Sequence, residues 1–432
     1  MSTLKVYPLK ETLEGVLKAP PSKYHTHRGL ILGALARGTS TITGISKSLD
    51  NMSTLQCLSL LGTSYTPIEG GYQITGESFH TPADVLNAGN SGSTVNFLLG
   101  LASMAPGATV FTGDDSLRTR PLGPYIKALS QWGINVWSTQ SNGLLPVVIQ
   151  HTDFTKLSDH VMVNGLISPW TTGLILMAPF TGHDVTVEVE NGKLNEGSYT
   201  ILMIKMMKEF GIRVEYPENR SSFFIQGSQN YHTAEVIIPG DIALASFGLV
   251  LAAIGNSHIL YTNLDLDVYH PEAKIIEVLQ AMGADVRIDA KGKTVEVYGG
   301  KPLKGITVDC NDAPDMVPVL SVLLALGEGE SRIINAEQLR YKECDRLKAM
   351  TQLNKMGADV TETKDGLVFQ GVKKLTGASV DSFHDHRVLM SYVIAGLIAD
   401  SPSNITDPGA AAVSYPGFLK DISDLGANFE TE

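Results

Sequence analysis

Hydrophobic positions recur along this chain in one phrase. An amphipathic helical stretch closes on a bulky apolar residue and a glycine, and a short β-branched or extended run follows. The phrase reads CLSLLG, ALSQWG, MMKEFG, VLQAMG, QLNKMG and DISDLG, ending at Gly62, Gly133, Gly211, Gly283, Gly357 and Gly426, at intervals of roughly 70 to 80 residues. Each glycine is expected to take the left-handed conformation that ends the helix and turns the chain into a strand, as in GIRVEY, GADVRI and GADVTE. Apolar stretches such as VPVLSVLLALG and VLMSYVIAGLIA are too continuous for a surface helix and predict helices of the core. Units of this length exceed a single domain when taken together, and they divide into two groups of three. The expectation is an α/β protein of two similar domains with a ligand cleft between them. Extended segments rich in Gly and Pro near residues 14–20 and 234–240 are where the chain crosses between domains.

Composition narrows the class. With 432 residues, 43% of them hydrophobic, the chain is long enough for two cores of roughly 200 residues each. Its 33 Lys and Arg against 45 Asp and Glu leave a net charge of -12, a field that repels nucleic acid and anionic membranes but permits a local basic pocket for a small anion. Cys57, Cys310 and Cys344 are odd in number and lack CxxC spacing, which disfavours a disulfide framework or a structural zinc site and fits a reducing cytosol. No stretch of the first residues resembles a signal peptide, and no apolar run reaches the roughly 20 residues of a membrane span.

Polar segments in front of apolar helices carry the candidate chemistry. The run APPSKYHTHR, ahead of GLILGALARG, offers Lys23 and Arg28 as mobile positive charges at a helix start, where backbone N–H groups favour anions. NAGNSGST at residues 87–94 opens VNFLLGLASMA as a small-residue loop suited to phosphate or carboxylate oxygens, or to simple capping. In DDSLRTRP an extended backbone would turn Arg118 and Arg120 to one side, and Pro121 holds Arg120 extended. Asp315, ahead of MVPVLSVLLALG, is a helix cap or a general base, with capping the simpler reading. The charged run Arg340–Arg346 suits surface ion pairing, and His384-Asp385-His386-Arg387 sets a basic cluster at the edge of a core.

Taken together, PPSK with THR, GNSGST, SLRTRP, the Pro314-Asp315 pair, YKECDR and DHR resemble the enolpyruvyl transferase family, and within it the archaeal-type 3-phosphoshikimate 1-carboxyvinyltransferases, over nearly the whole chain and in the family's order. The resemblance implies two domains, residues 1–19 plus 238–432 and residues 20–237, each of three βαβαββ-like repeats. It implies transfer of the enolpyruvyl group of phosphoenolpyruvate to the 5-hydroxyl of 3-phosphoshikimate, with no metal or organic cofactor, by a monomer of the shikimate pathway to aromatic amino acids. Lys23, Gly92, Arg120, Arg346 and Arg387 match the residues that hold phosphoenolpyruvate. Lys23, Asp315 and Glu343 match the catalytic groups, with Asp315 facing the attacking hydroxyl and Glu343 serving the methylene carbon. Arg28, Ser168, Tyr199, Asp315, Gln338 and Lys342 match the acceptor contacts. Such a concentration of cations is expected to repel itself when the site is empty, favouring an open state that substrates close.

The acceptor half departs from the family pattern. Tyr24 stands where a Ser follows the motif Lys, and Ile167-Ser168-Pro169, followed by Trp170, stands where a Ser-Ser-Gln run meets the phosphate and ring. Gly197 replaces a basic residue just before Tyr199, Gln338 an Asn, and Asn96 an Arg; a C-terminal Lys is absent around Val413. Losing donors from a phosphate pocket changes acceptor affinity by orders of magnitude. Transfer to, or elimination on, another shikimate-like cyclic polyol acid is therefore an alternative, and a non-catalytic binding relative a lesser one. Phosphate donors supplied from elsewhere in the pocket favour 3-phosphoshikimate, and an apolar lining favours an unphosphorylated acceptor.

Overall fold

The computed structural model describes residues 2–432, and in it all six repeat glycines lie in the left-handed region, with φ between +82° and +113°. The hydrogen bonds around them repeat as well. At Gly62 its own N–H donates to Ser59 O (3.0 Å) and the next N–H, Thr63, to Leu58 O (3.0 Å); at Gly357 the pair runs to Asn354 O (3.2 Å) and from Ala358 to Leu353 O (3.1 Å). This doubled closure satisfies helix carbonyls that would otherwise end unpaired, and it turns the chain sharply into the following strand.

Among the described residues there are six four-stranded sheets, and each belongs to one βαβαββ repeat. In one such repeat strand Leu86–Asn87 is followed by helix Gly92–Leu101, strand Ala108–Thr112, helix Gly123–Trp132 and the hairpin Val136–Ser138 and Val147–Gln150. The first two strands pair in parallel across the buried helix, and the hairpin adds antiparallel to the second. The chain divides into two compact units, Pro21–Ile238 on one side and Pro239–Glu432 with the N-terminal segment to Pro20 on the other. Three sheets fall in each. In the first unit strand Glu235–Ile237 returns to pair in parallel with Gly38–Thr43. In the second, Glu14–Lys18 pairs in parallel with His258–Thr262, and Thr3–Val6 lies between Ser403–Thr406 and Phe429–Thr431.

The first helix of each repeat is buried around most of its circumference, and beyond its first turns it is largely apolar. In the second unit Ile242–Ile254, Val317–Ala325 and His386–Leu397 pack on one another, with Leu249, Leu323 and Val393 fully enclosed. In the first unit Gly92–Leu101 packs along Ser168–Met177, where the glycines at 100 and 173 admit Met177 and the Tyr125 ring. A helix buried on every side has only its ends to offer to a ligand, and Lys23, the loop before Gly92, Asp315 and Arg387 sit at or beside such N-termini, whereas Arg120 and Arg346 lie beside the second helices of their repeats.

Three local expectations are corrected. Residues 23–28 do not precede the first helix, which spans Lys23–Leu35 with Ser22 as its cap, so Lys23, Tyr24, His25, Thr26, His27 and Arg28 form its first turns and are buried. His386 and Arg387 likewise form the first turn of His386–Leu397, capped by Asp385, whose carboxylate accepts from the N–H groups of Arg387 (2.8 Å) and Val388 (3.2 Å). The helical stretch expected to close on QLNKMG is α-helical only at Arg346–Met350 and continues as tighter 3-10 turns, Thr351–Met356.

Candidate active site

Within the second unit, Arg346 is the centre of the arrangement. Its Nε donates to Asp385 Oδ2 (2.7 Å), Nη1 to Asp315 Oδ1 (2.6 Å) and Nη2 to Glu343 Oε2 (2.7 Å), with the side chain 1% exposed. Burial alone would lower its pKa; Asp385, Glu343 and Asp315 together hold it well above the ordinary value. Arg387 Nη1 donates to the main-chain oxygen of Asp315 (3.3 Å), and its Nη2 is 3.8 Å from Asp315 Oδ2. Two guanidinium groups thus face three carboxylates. Within this unit the positive charge of the two arginines is balanced by acidic side chains.

Asp315 does not cap its helix. The carboxylate of Glu272 takes that place, accepting from the N–H groups of Asp315 (3.0 Å) and Met316 (2.9 Å). The Asp315 side chain is directed instead to the arginines. Gln338 is buried, and its amide nitrogen donates to the main-chain oxygens of Cys310 (3.4 Å) and Asn311 (3.3 Å) in the approach to Asp315. Lys342 is half-buried beside Glu343. In the same charged run Arg340 behaves as a surface residue, pairing with Asp345 (2.8 Å) and Glu362 (2.6 Å).

The other candidate residues lie in the first unit. Lys23, far from mobile, is ion-paired to the buried Asp50 (2.9 Å). Arg28 is buried too. It donates to Tyr24 O (3.0 Å) and Tyr199 O (2.9 Å), lies 5.3 Å above the Phe97 ring, and is lowered to about 10 by burial. Tyr24, the residue that departs from the family pattern, stacks on Tyr199 with ring centroids 5.1 Å apart. Between Lys23 and Arg28 on the helix, His27 bonds Thr54 Oγ1 (2.7 Å), which reaches Thr94 (2.6 Å) and then Ser91 (2.7 Å), so a buried polar chain ties this helix to the loop at Gly92.

At that loop Ser91 caps the helix Gly92–Leu101, and Arg120 donates to Asn90 Oδ1 (2.8 Å) and Ser116 Oγ (3.1 Å). A Cβ on Gly92 would stand 3.3 Å from Arg120 Nη1, so glycine gives the guanidinium its close approach. Arg120 is extended as Pro121 requires, with φ -77° and ψ 136°. Arg118 is not its companion: residues 117–119 form a 3-10 turn, and Arg118 is drawn to Gly113 O (2.6 Å) and Asp115. Ser168 is the first residue of Ser168–Met177; its Oγ is buried and makes no hydrogen bond, while its carbonyl accepts from Thr172 (3.0 Å) and Thr200 (3.4 Å).

Asp385, Glu272, Asp50 and Asn90 orient these groups but carried no role in the sequence reading. Asp385 lies inside a quoted motif, whereas Glu272 and Asp50 act through folding contacts that no local pattern announces. No cluster of three or more His, Cys, Asp or Glu among the described residues is arranged to hold a metal ion, and no described helix is long and apolar enough to cross a membrane.

Comparison with known proteins gives these positions a context. The family model for EPSP synthase (3-phosphoshikimate 1-carboxyvinyltransferase) matches residues 9–422. A 3-phosphoshikimate 1-carboxyvinyltransferase of Methanococcus maripaludis is 37% identical over 424 residues, covering 97% of both chains, and that of Methanocella arvoryzae is 39% identical over 425 residues, covering 98% of both. Among solved structures, EPSP synthase from Acinetobacter baumannii superposes with a TM-score of 0.80 at 27% identity over 100% of each chain.

Proposed function

Since the chain belongs to the EPSP synthase (3-phosphoshikimate 1-carboxyvinyltransferase) family, we propose that it transfers the enolpyruvyl group of phosphoenolpyruvate to the 5-hydroxyl of 3-phosphoshikimate and releases phosphate. The observation that carries this reading is a single buried guanidinium, Arg346, bonded to both Asp315 and Glu343. The reaction needs a base at the acceptor hydroxyl and a proton donor at the methylene carbon, and here both are carboxyl groups ordered by one cation.

On this reading Asp315 takes the proton from the acceptor hydroxyl as its oxygen bonds C2 of phosphoenolpyruvate, and Glu343 delivers a proton to C3, giving a tetrahedral ketal. Glu343, left as a carboxylate, then takes a proton back from C3 as the bond from C2 to the phosphate oxygen breaks, which expels phosphate and leaves the enol ether. Arg120, Arg346, Arg387 and Lys23 hold the carboxylate and phosphate of phosphoenolpyruvate, since planar guanidinium groups match both anions. The bonds these cations make to Asn90, Ser116, Asp50 and the three carboxylates order them in advance, so less freedom is lost when the ligand arrives. Arg28, Ser168, Tyr199, Gln338 and Lys342 serve the acceptor.

The same reading takes the two compact units as the two domains and places the enzyme in the cytosol as a monomer. Its cysteines support a reducing compartment: all three are free, Cys57 and Cys310 are buried, and burial pushes the Cys57 thiol up to about 12. The test is phosphate release in the presence of phosphoenolpyruvate and 3-phosphoshikimate, each omitted in turn. Release that requires both supports the assignment, and release indifferent to the acceptor contradicts it.

A further inference from the structure

We propose that Arg220, in the turn between strands Val214–Glu215 and Ser222–Ile225, determines acceptor specificity by binding the phosphate of 3-phosphoshikimate from the space that Gly197 leaves open. This rests on the functional reading above and names a recognition residue that the sequence motifs did not contain.

The spatial relation is direct. A Cβ built on Gly197 would meet Arg220 Cδ at 3.0 Å and Nη1 at 3.1 Å, so the guanidinium occupies the volume into which a side chain at 197 would extend. A basic residue at 197 and Arg220 in its observed position exclude one another. The cation whose absence from position 197 weakened the acceptor assignment is therefore present, delivered by a turn more than 20 residues downstream in sequence.

Its surroundings suit an anion. Arg220 is half-buried, and its Nη1 donates to Ser198 Oγ (3.2 Å) in the first turn of Gly197–Glu209. That helix start has no side-chain cap, and neither has the neighbouring start of Ser168–Met177, which follows Ile167. The two starts are joined by bonds from Asn195 N to Gly165 O (2.9 Å), from Asn195 Nδ2 to Leu166 O (3.2 Å), and between Thr172 and Thr200 (3.0 Å). Helix N-termini attract oxyanions. Ser168 supplies an independent sign of a ligand, a fully buried hydroxyl with no hydrogen-bond partner at the head of one of these helices. Arg220 also has φ +55°, an unfavourable conformation for a non-glycine residue that is retained with its N–H on Pro217 O (2.9 Å). A planar guanidinium recognises a phosphate monoester through paired hydrogen bonds.

A structural alternative is visible at the same corner. Glu196 is 1% exposed, and Arg220 could serve only as a counter-charge for that carboxylate. The two roles separate in calorimetric titrations of the full chain with 3-phosphoshikimate and with shikimate. Arg220→Ala is expected to weaken 3-phosphoshikimate about 10- to 100-fold, the size of a lost charge-assisted bond, and to weaken shikimate far less. Gly197→Arg in the Arg220→Ala background should recover most of the loss, because the next-nearest atom to a Cβ there, on the Leu194 side chain, is at an ordinary 3.5 Å. If Arg220→Ala unfolds, the Glu196→Gln, Arg220→Ala pair removes the buried charge and keeps the comparison. Equal losses for both acceptors, or no loss, overturn the role of Arg220. Turnover of 3-phosphoshikimate by the unaltered enzyme, measured beside these titrations, would leave the functional reading standing in that event; absence of turnover and of 3-phosphoshikimate binding would overturn both.

Discussion

Arg346 Nη1 lies 2.6 Å from Asp315 Oδ1, and the same guanidinium holds Glu343 and Asp385 at 2.7 Å each. Removing the arginine leaves three carboxylates around a buried void. Arg346→Met is expected to lose roughly 3–5 kcal/mol of stability in urea denaturation, and Arg346→Lys less, because a lysine keeps the charge but cannot reproduce three directed bonds.

Asp315→Asn separates chemistry from architecture. Arg346 keeps Glu343 and Asp385, and Glu272 still caps the helix, so the fold should persist. Loss of the base should reduce kcat by about 10²–10⁴-fold. Phosphoenolpyruvate binding, followed by fluorescence or calorimetry, should change little by comparison.

Gly92→Ala tests the approach of Arg120. The added methyl would stand 3.3 Å from Nη1, and the guanidinium must move by a few tenths of an ångström against its bonds to Asn90 and Ser116. Weakening one charge-assisted bond by about 1 kcal/mol should raise KM for phosphoenolpyruvate roughly 5-fold, with a smaller effect on KM for the acceptor.

Acid stability should report on His27. Burial, reinforced by Lys23 and Arg28, holds its pKa well below the usual histidine value of about 6.5. Below that value the unfolded chain binds a proton that the folded chain refuses, so this contribution is complete above pH 6.5 and declines as pH falls toward the depressed folded value. The slope approaches about 1.4 kcal/mol per pH unit. In urea melts between pH 7 and 5, His27→Gln should lose that part of the pH dependence. An unchanged profile would contradict a neutral buried His27.

The six glycine turns were legible in the sequence because their chemistry is local: a helix that stops needs a left-handed residue, and Gly357 with Ala358 closes the last turn within a few positions. The buried helices were legible from continuous apolar runs. Where Lys23–Arg28 would go was not, since a polar stretch reads as a loop until neighbouring helices enclose it, and His27 finds Thr54 only in the folded chain. Asp315 looked like a cap for the same reason. The real cap, Glu272, is 43 residues away. Arg220 was hidden furthest, because the glycine that accommodates it is recognisable only when both are seen together.

The most direct measurement mixes the purified protein with 3-phosphoshikimate and phosphoenolpyruvate labelled with ¹³C at C2 and C3, and follows carbon and phosphorus resonances together. The account predicts inorganic phosphate and a labelled vinyl ether on the acceptor, formed in equal amounts. Phosphate with labelled pyruvate, or no consumption of either substrate, would contradict it.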